Sequence, residues 1–217
     1  PAFDSQTKDK LVTPASKLGY DPKLDPKKLD KGLAALPTLL DSVLDLVRFK
    51  DQQRLKREVR KGAGAAGGRP SVPKYDSATL AGKRGAKQQP CTLILTEGDS
   101  AKSLAVAGLS VVGRERYGVF PLRGKPLNVL NATDAKIQAN AECVNVLKIL
   151  GVTPGQRVTD PSELRYQHVL VFSDQDLDGY HITGLMVVLL VHYFEPLLKQ
   201  HPDFIRRFAT PLIVATP

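Results

Sequence analysis

"HVLVFSDQDLDGYHITGL" occupies residues 168–185. Val169 to Phe172 form a short apolar run, the pattern of a strand covered on both faces. Ser173 ends the run. Asp174, Asp176 and Asp178 follow at alternate positions, and the chain turns at Gly179. Ile182, Leu185, Met186, Leu189, Leu190, Tyr193 and Phe194 then recur at helical spacing. Two earlier stretches repeat this order. "CTLILTEG" (91–98) predicts a buried strand ending in a glycine turn, and "DSAKSLAVAGL" (99–109) a helix. "YGVFPLRG" (117–124) predicts a second strand that runs into a basic turn. Thr133 caps a helix with apolar positions Ile137, Ala141, Val144 and Leu147, stopped by Gly151. Three strand–helix alternations predict an α/β fold: a parallel sheet with helices on both faces.

Outside this core the chain changes character. Residues 1–32 are polar, rich in Pro, Lys and Asp, and read as loop. Pro37 suits a first helical position, and Leu39, Leu40, Val43, Leu44 and Val47 continue at helical spacing. The helix turns basic and stops at "GAGAAGGRP" (62–70), a connector composition. The expected boundaries are 1–32, a helix with connector over 33–75, the α/β domain over 76–203, and a following region that opens with "FIRRFATPLIVATP" over 204–217.

The chain of 217 residues carries a net charge of +9, from 31 basic against 22 acidic residues. Arg48, Lys50, Arg54, Lys56, Arg57, Arg60, Lys61 and Arg69 crowd one stretch, which reads either as a solvated helix end or as contact with a polyanion. No run approaches the roughly 18–20 consecutive apolar residues that span a bilayer, so no membrane partner is expected. Cys91 and Cys143 lack metal-ligand spacing and sit in apolar segments, as in a reduced intracellular protein. The chain opens on Pro1 in mid-pattern, and a piece of a longer protein is the expectation.

In parallel α/β sheets the working groups collect at the carboxyl ends of the strands. Two predicted strand ends carry acids here, Glu97 and Asp174, and Asp176 and Asp178 extend the set. Gathered carboxylates repel one another and resist desolvation unless a cation neutralises them. Carboxylate and water are the ligands of Mg²⁺, and phosphoryl transfer is the chemistry that such a site serves. An EF-hand also begins DxDxDG, but its twelfth position must be Glu and here it is Leu185. Asp178 alone also reads as a helix cap; caps do not account for Glu97 on another strand. In "FPLRGKPLNV" (120–129), Arg123 and Lys125 flank Gly124 at a strand end, where both reach phosphates and the glycine admits close approach.

The ordered set "LTEGDSAKSLAVAGLSVVGRERYGVFPLRGKPLNV" (95–129) and "SDQDLDGYHITGL" (173–185) resembles the Toprim domain of eukaryotic-type DNA topoisomerase II, a style that large DNA viruses share. The resemblance implies a Rossmann-like Toprim sheet. "PAFDSQTKDKL" (1–11) resembles the end of the ATPase transducer, and 20–75 then corresponds to the helix that links transducer to Toprim. The resemblance assigns roles. Glu97 and Asp174 hold a catalytic Mg²⁺, with Glu97 also the general acid/base for the 3′-hydroxyl. Asp174 and Asp176 hold a second Mg²⁺, and Asp178 is an alternate ligand. Arg123, Gly124 and Lys125 grip DNA; Gly98 and Asp99, with Arg123, line the gap where cleavage-poisoning drugs stack. Gln6 and Lys8 serve ATP. Double-stranded DNA, a homodimer, and the nucleus (or virion and infected cell, for a viral enzyme) follow from the same resemblance. The tyrosine nucleophile lies on a following winged-helix domain, and none of the six tyrosines here sits in its motif. Tyr180 stands where the family has a small residue. Other Toprim enzymes, primases and nucleases, share the Glu and DxD but not PLRGK; a non-catalytic nucleic-acid-binding piece is the remaining alternative.

Overall fold

The computed structural model describes residues 26–62, 69–85, 88–152 and 155–208. Gln6, Lys8 and most of the glycine-rich connector lie outside these residues. The chain divides into two compact units, one ending at Arg48 and the other running from Phe49. In the first, the described part is the stretch up to Arg48 of a long helix, α1 (Pro26–Gly62). That helix starts eleven positions before the predicted Pro37, inside the segment expected to be loop. Pro26 meets the same first-turn requirement as Pro37, because a first-turn N–H has no partner inside the helix anyway. Leu29, Leu33 and Leu36 then extend the helical spacing upstream.

The second unit is a parallel α/β layer. Its elements are β1 (Thr92–Glu97), α2 (Gly98–Val112), β2 (Tyr117–Leu122), α3 (Asp134–Ala139), α4 (Ala141–Leu150), β3 (His168–Phe172), α5 (Leu177–Gln200) and β4 (Ile205–Phe208). The strand order is β2-β1-β3-β4, and every pairing is parallel. Strand β1 lies at the centre: Thr92 pairs with Tyr117 of β2 and with His168 of β3. Its alternate residues face opposite layers. Leu93 and Leu95 enter the main core with Val169, Val171, Met186, Leu190 and Phe194, whereas Ile94 joins Val119 and Leu109 of α2 in a smaller one. Helix α5 is long and apolar enough to cross a membrane by composition, but here Ile182, Met186, Leu189 and Leu190 of that helix are buried in the core. Leu55 and Val59 of α1, which the sequence did not single out, are fully buried in the same core, while Val43, Leu44 and Val47 are about half exposed.

Two further corrections concern element bounds. The helix expected from Thr133 to Gly151 is two helices. Asn140 leaves the helical region and its side chain accepts the Cys143 N–H, so it caps α4 as α3 ends. Gly151 stops α4 in the left-handed conformation, as its sequence position predicts. The second correction is β4. The "FIRRF" stretch, expected to open a following region, instead completes this sheet: Val169, Val171 and Phe172 pair with Ile205, Arg207 and Phe208. On the opposite edge, Asp76 and Val119 exchange two main-chain hydrogen bonds of 2.9 and 2.8 Å, which covers the free side of β2.

Candidate metal and nucleic-acid site

Glu97 is the last residue of β1, and Asp174 stands two residues past the end of β3, the neighbouring strand. Gly98 follows Glu97 with φ +80°, and nothing lies near the position of an added Cβ. Its glycine is therefore required by backbone conformation, which lets β1 break sharply into α2. The acidic turn after β3 is built more tightly. The Asp176 side chain accepts the Gly179 N–H at 2.7 Å and is the N-cap of α5. The capping role that the sequence left open for Asp178 thus belongs to Asp176. Ser173, buried, donates to the Gly179 carbonyl at 3.2 Å, and Thr183 donates to the same oxygen at 2.8 Å. A Cβ on Gly179 would lie 2.1 Å from the Asp174 carbonyl oxygen, so only glycine lets the helix close on the turn.

Glu97 feels all three aspartates. Burial pushes its carboxyl above the ordinary value, a hydrogen bond from the Asp174 main chain pulls it back, and the charges of Asp176, Asp174 and Asp178 add to the rise. One oxygen, Oε2, is buried without a hydrogen-bond partner. A buried carboxylate oxygen without a donor is costly, and a cation beside three further carboxylates removes that cost. Among the described residues no three carboxylate, imidazole or thiolate groups stand close enough to ligate one ion together. Mg²⁺ does not need them to: it keeps several waters and takes one or two carboxylates plus phosphate oxygens. The oxygen-only donor set and the orphaned Oε2 fit that ion.

Lys74, Lys102 and Lys125 are already engaged. Lys125 pairs with Asp178 at 2.9 Å, which ties the turn after β2 to the first turn of α5 and holds the Asp178 carboxyl below its usual range. Asp99 pairs with Lys74, whose hydrogen bond and charge lower the Asp99 carboxyl. Lys102 reaches Asp76 at 2.9 Å and also donates to the Lys74 carbonyl. Arg123 is exposed at the mouth of a cleft of about 130 Å³ that Lys74, Phe120, Glu142 and Asn145 also line. Glu142 is pushed up by burial and held back by the Arg123 main chain and guanidinium. Lys74 and Glu142 were not singled out from sequence, since neither lies in a strand-end motif. Arg207 was missed as well: its guanidinium lies 3.8 Å from the centroid of the Tyr180 ring and donates to the Asp174 carbonyl at 3.3 Å.

A family match describes residues 92–209 as a Toprim domain. The chain belongs to the Toprim family. The match closes one residue past β4, in keeping with the place of that strand in the sheet. The full chain is similar to proteins of much greater length. It is 45% identical over 213 residues to a probable DNA topoisomerase 2 of Dictyostelium discoideum, covering 98% of this chain and 14% of that protein. It is also 45% identical over 217 residues to a DNA topoisomerase 2 of Pisum sativum, covering all of this chain and 14% of that protein. A crystal structure of the Plasmodium falciparum topoisomerase II DNA-binding, cleavage and re-ligation domain superposes with a TM-score of 0.62 at 43% identity, over 67% of this chain and 20% of that one.

Proposed function

We propose that this chain is the Toprim portion of a type II DNA topoisomerase, which cuts both strands of a duplex, passes another duplex through and reseals the break. The observation that carries the reading is Glu97, with its orphaned buried oxygen, facing the acidic turn of the adjacent parallel strand. Similarity to the two DNA topoisomerase 2 proteins over 98–100% of the chain, well beyond residues 92–209, favours this over a primase or nuclease built on the same domain.

Two Mg²⁺ ions, when bound, would neutralise charge on the reacting phosphate and on its neighbour. Glu97 and Asp174 would hold the first, Asp174 and Asp176 the second, with Asp178 an alternate ligand. A tyrosine from another part of the protein attacks the phosphodiester. The tyrosine hydroxyl gives up its proton to solvent as a tyrosyl oxygen–phosphorus bond forms, the bond to the 3′-oxygen breaks, and that oxygen takes up a proton. We assign Glu97 the transfer of that proton and its removal on resealing. Arg123 and Lys125 neutralise flanking phosphates, and Gly124 admits the backbone. For Lys125 the contact is an exchange of Asp178 for phosphate. Gly98 and Asp99 sit beside the cut. Gln6 and Lys8 complete an ATP pocket whose remainder lies elsewhere, in a homodimer that acts in the nucleus.

Plasmid cleavage by the full-length enzyme across a Mg²⁺ titration tests the assignment. Glu97→Gln and Asp174→Asn lower cleavage by about 10²-fold or more even at high Mg²⁺, the scale of losing transition-state charge stabilisation. Asp176→Asn shifts the Mg²⁺ requirement upward, because added ion refills a weakened site, and Asp178→Asn is the mildest of the four. Wild-type cleavage by Glu97→Gln sinks the reading.

A further inference from the structure

Arg207 stands in an unusual place for a cation. It pairs in register with Val171 on β3, so it projects toward the face that α5 covers, under the first turn of that helix. A helix N-terminus carries partial positive charge and disfavours a guanidinium. Arg207 is nonetheless half-buried there, and its Nε is buried without a hydrogen-bond partner. Three contacts account for the arrangement. The guanidinium stacks at 3.8 Å from the Tyr180 ring centroid, and Nη2 donates to the Asp174 carbonyl at 3.3 Å. The Tyr180 hydroxyl donates to Gln175 at 3.3 Å. Asp174, Gln175 and Tyr180 together bracket the acidic turn, and Arg207 joins both of its ends to β4.

We infer that Arg207 and Tyr180 form a clamp that positions the acidic turn, holding Asp174 and Asp176 toward Glu97 and so setting the affinity of this site for divalent cations. The inference rests on the metal-site reading above. Arg207 is a positioning residue, since its hydrogen bond goes to a main-chain carbonyl and not to a carboxylate. Tyr180 is 53% exposed, so little core packing depends on its ring. The planar guanidinium matters for stacking and for the in-plane N–H, and an ammonium does not reproduce either.

The test uses the full-length enzyme without nucleotide, with Mn²⁺ as the probe. Binding is read by electron paramagnetic resonance, and cleavage by a Mg²⁺ titration. Tyr180→Ser and Arg207→Ala each weaken Mn²⁺ binding and raise the half-saturating Mg²⁺ by about tenfold, the scale of one stacked cation and one charged hydrogen bond. Arg207→Lys behaves like Arg207→Ala. Tyr180→Ser keeps all charges and the core, so it carries the test even if Arg207→Ala does not fold. Unchanged Mn²⁺ binding in Tyr180→Ser, alongside lost binding in Glu97→Gln, overturns the clamp and spares the metal site. Tighter binding in Arg207→Ala with wild-type binding in Arg207→Lys also overturns it, since Arg207 would then act only as a competing charge. Unchanged binding in Glu97→Gln removes the metal site and the clamp together.

Discussion

Glu97 is stabilised least when it is ionised, as a metal ligand must be, in a half-buried position beside three other acids. Its folded carboxyl is raised, chiefly by burial. The native state therefore holds this proton more tightly than the unfolded chain does. The resulting stability is fully present below the unfolded value near 4.5 and is lost as pH rises through the raised folded value. At neutral pH without a divalent cation, ionised Glu97 works against folding. Glu97→Gln is accordingly expected to raise the melting temperature at pH 7 in EDTA. That gain should vanish in saturating Mg²⁺, where ligand binding stabilises only the wild type. Thermal scans of both proteins in the two buffers check this; a lower melting temperature for Glu97→Gln in EDTA counts against it. Asp178 has the opposite sign. Lys125 depresses its carboxyl, so its small contribution is present above the unfolded value near 3.8 and is lost on acidification through the folded value.

Strand-to-helix turns decide whether the carboxylates converge, and two glycines show how differently such turns can fail. Gly179→Ala forces a methyl against the Asp174 carbonyl, main chain that cannot rotate away. Overpacking of this kind costs about 1–3 kcal/mol and moves Asp174 itself, so Mn²⁺ binding should fall along with the urea midpoint. Gly98→Ala meets no atom and carries only the left-handed backbone penalty of about 1–2 kcal/mol. Weaker Mn²⁺ binding in Gly98→Ala than in Gly179→Ala would reverse this order. The strands and the pairing of Glu97 with Asp174 were legible in sequence because short apolar runs ending in acids admit few other readings. The caps were less so. DxDxDG offers three acids for one N-cap, and only the geometry of the turn chose Asp176. Asn140 was a legible cap that the apolar spacing on either side concealed. A strand at β4 is legible, but its place in this sheet was hidden by Arg206 and Arg207, which break the apolar run expected of an inner strand, whereas an edge strand tolerates them. The role of Arg207 was not legible at all, since it depends on the β3–β4 register.

At the scale of the whole molecule the candidate site belongs to no single stretch of chain, because β1 gives Glu97 and the turn after β3 gives the aspartates. Thr92 of the central strand finds its β2 partner, Tyr117, 25 positions on, and its β3 partner, His168, 76 positions on. Closing the longer loop costs about 1 kcal/mol more in chain entropy than closing the shorter one. Long-range parallel pairing is also the slow part of forming such a sheet. A chain that has joined β1 to β2 already displays Glu97 but has no acidic turn beside it, and is blind to divalent cations. On the proposed metal-site reading, Mg²⁺ acts after the folding barrier. In stopped-flow denaturant jumps it should slow unfolding and leave the refolding rate nearly unchanged, the behaviour of an interaction absent from the transition state. Refolding that quickens in proportion to the added stability would mean that β1 and β3 meet early. If they meet late, the ion serves as a seal on a finished fold, and a half-built sheet has no seat for it.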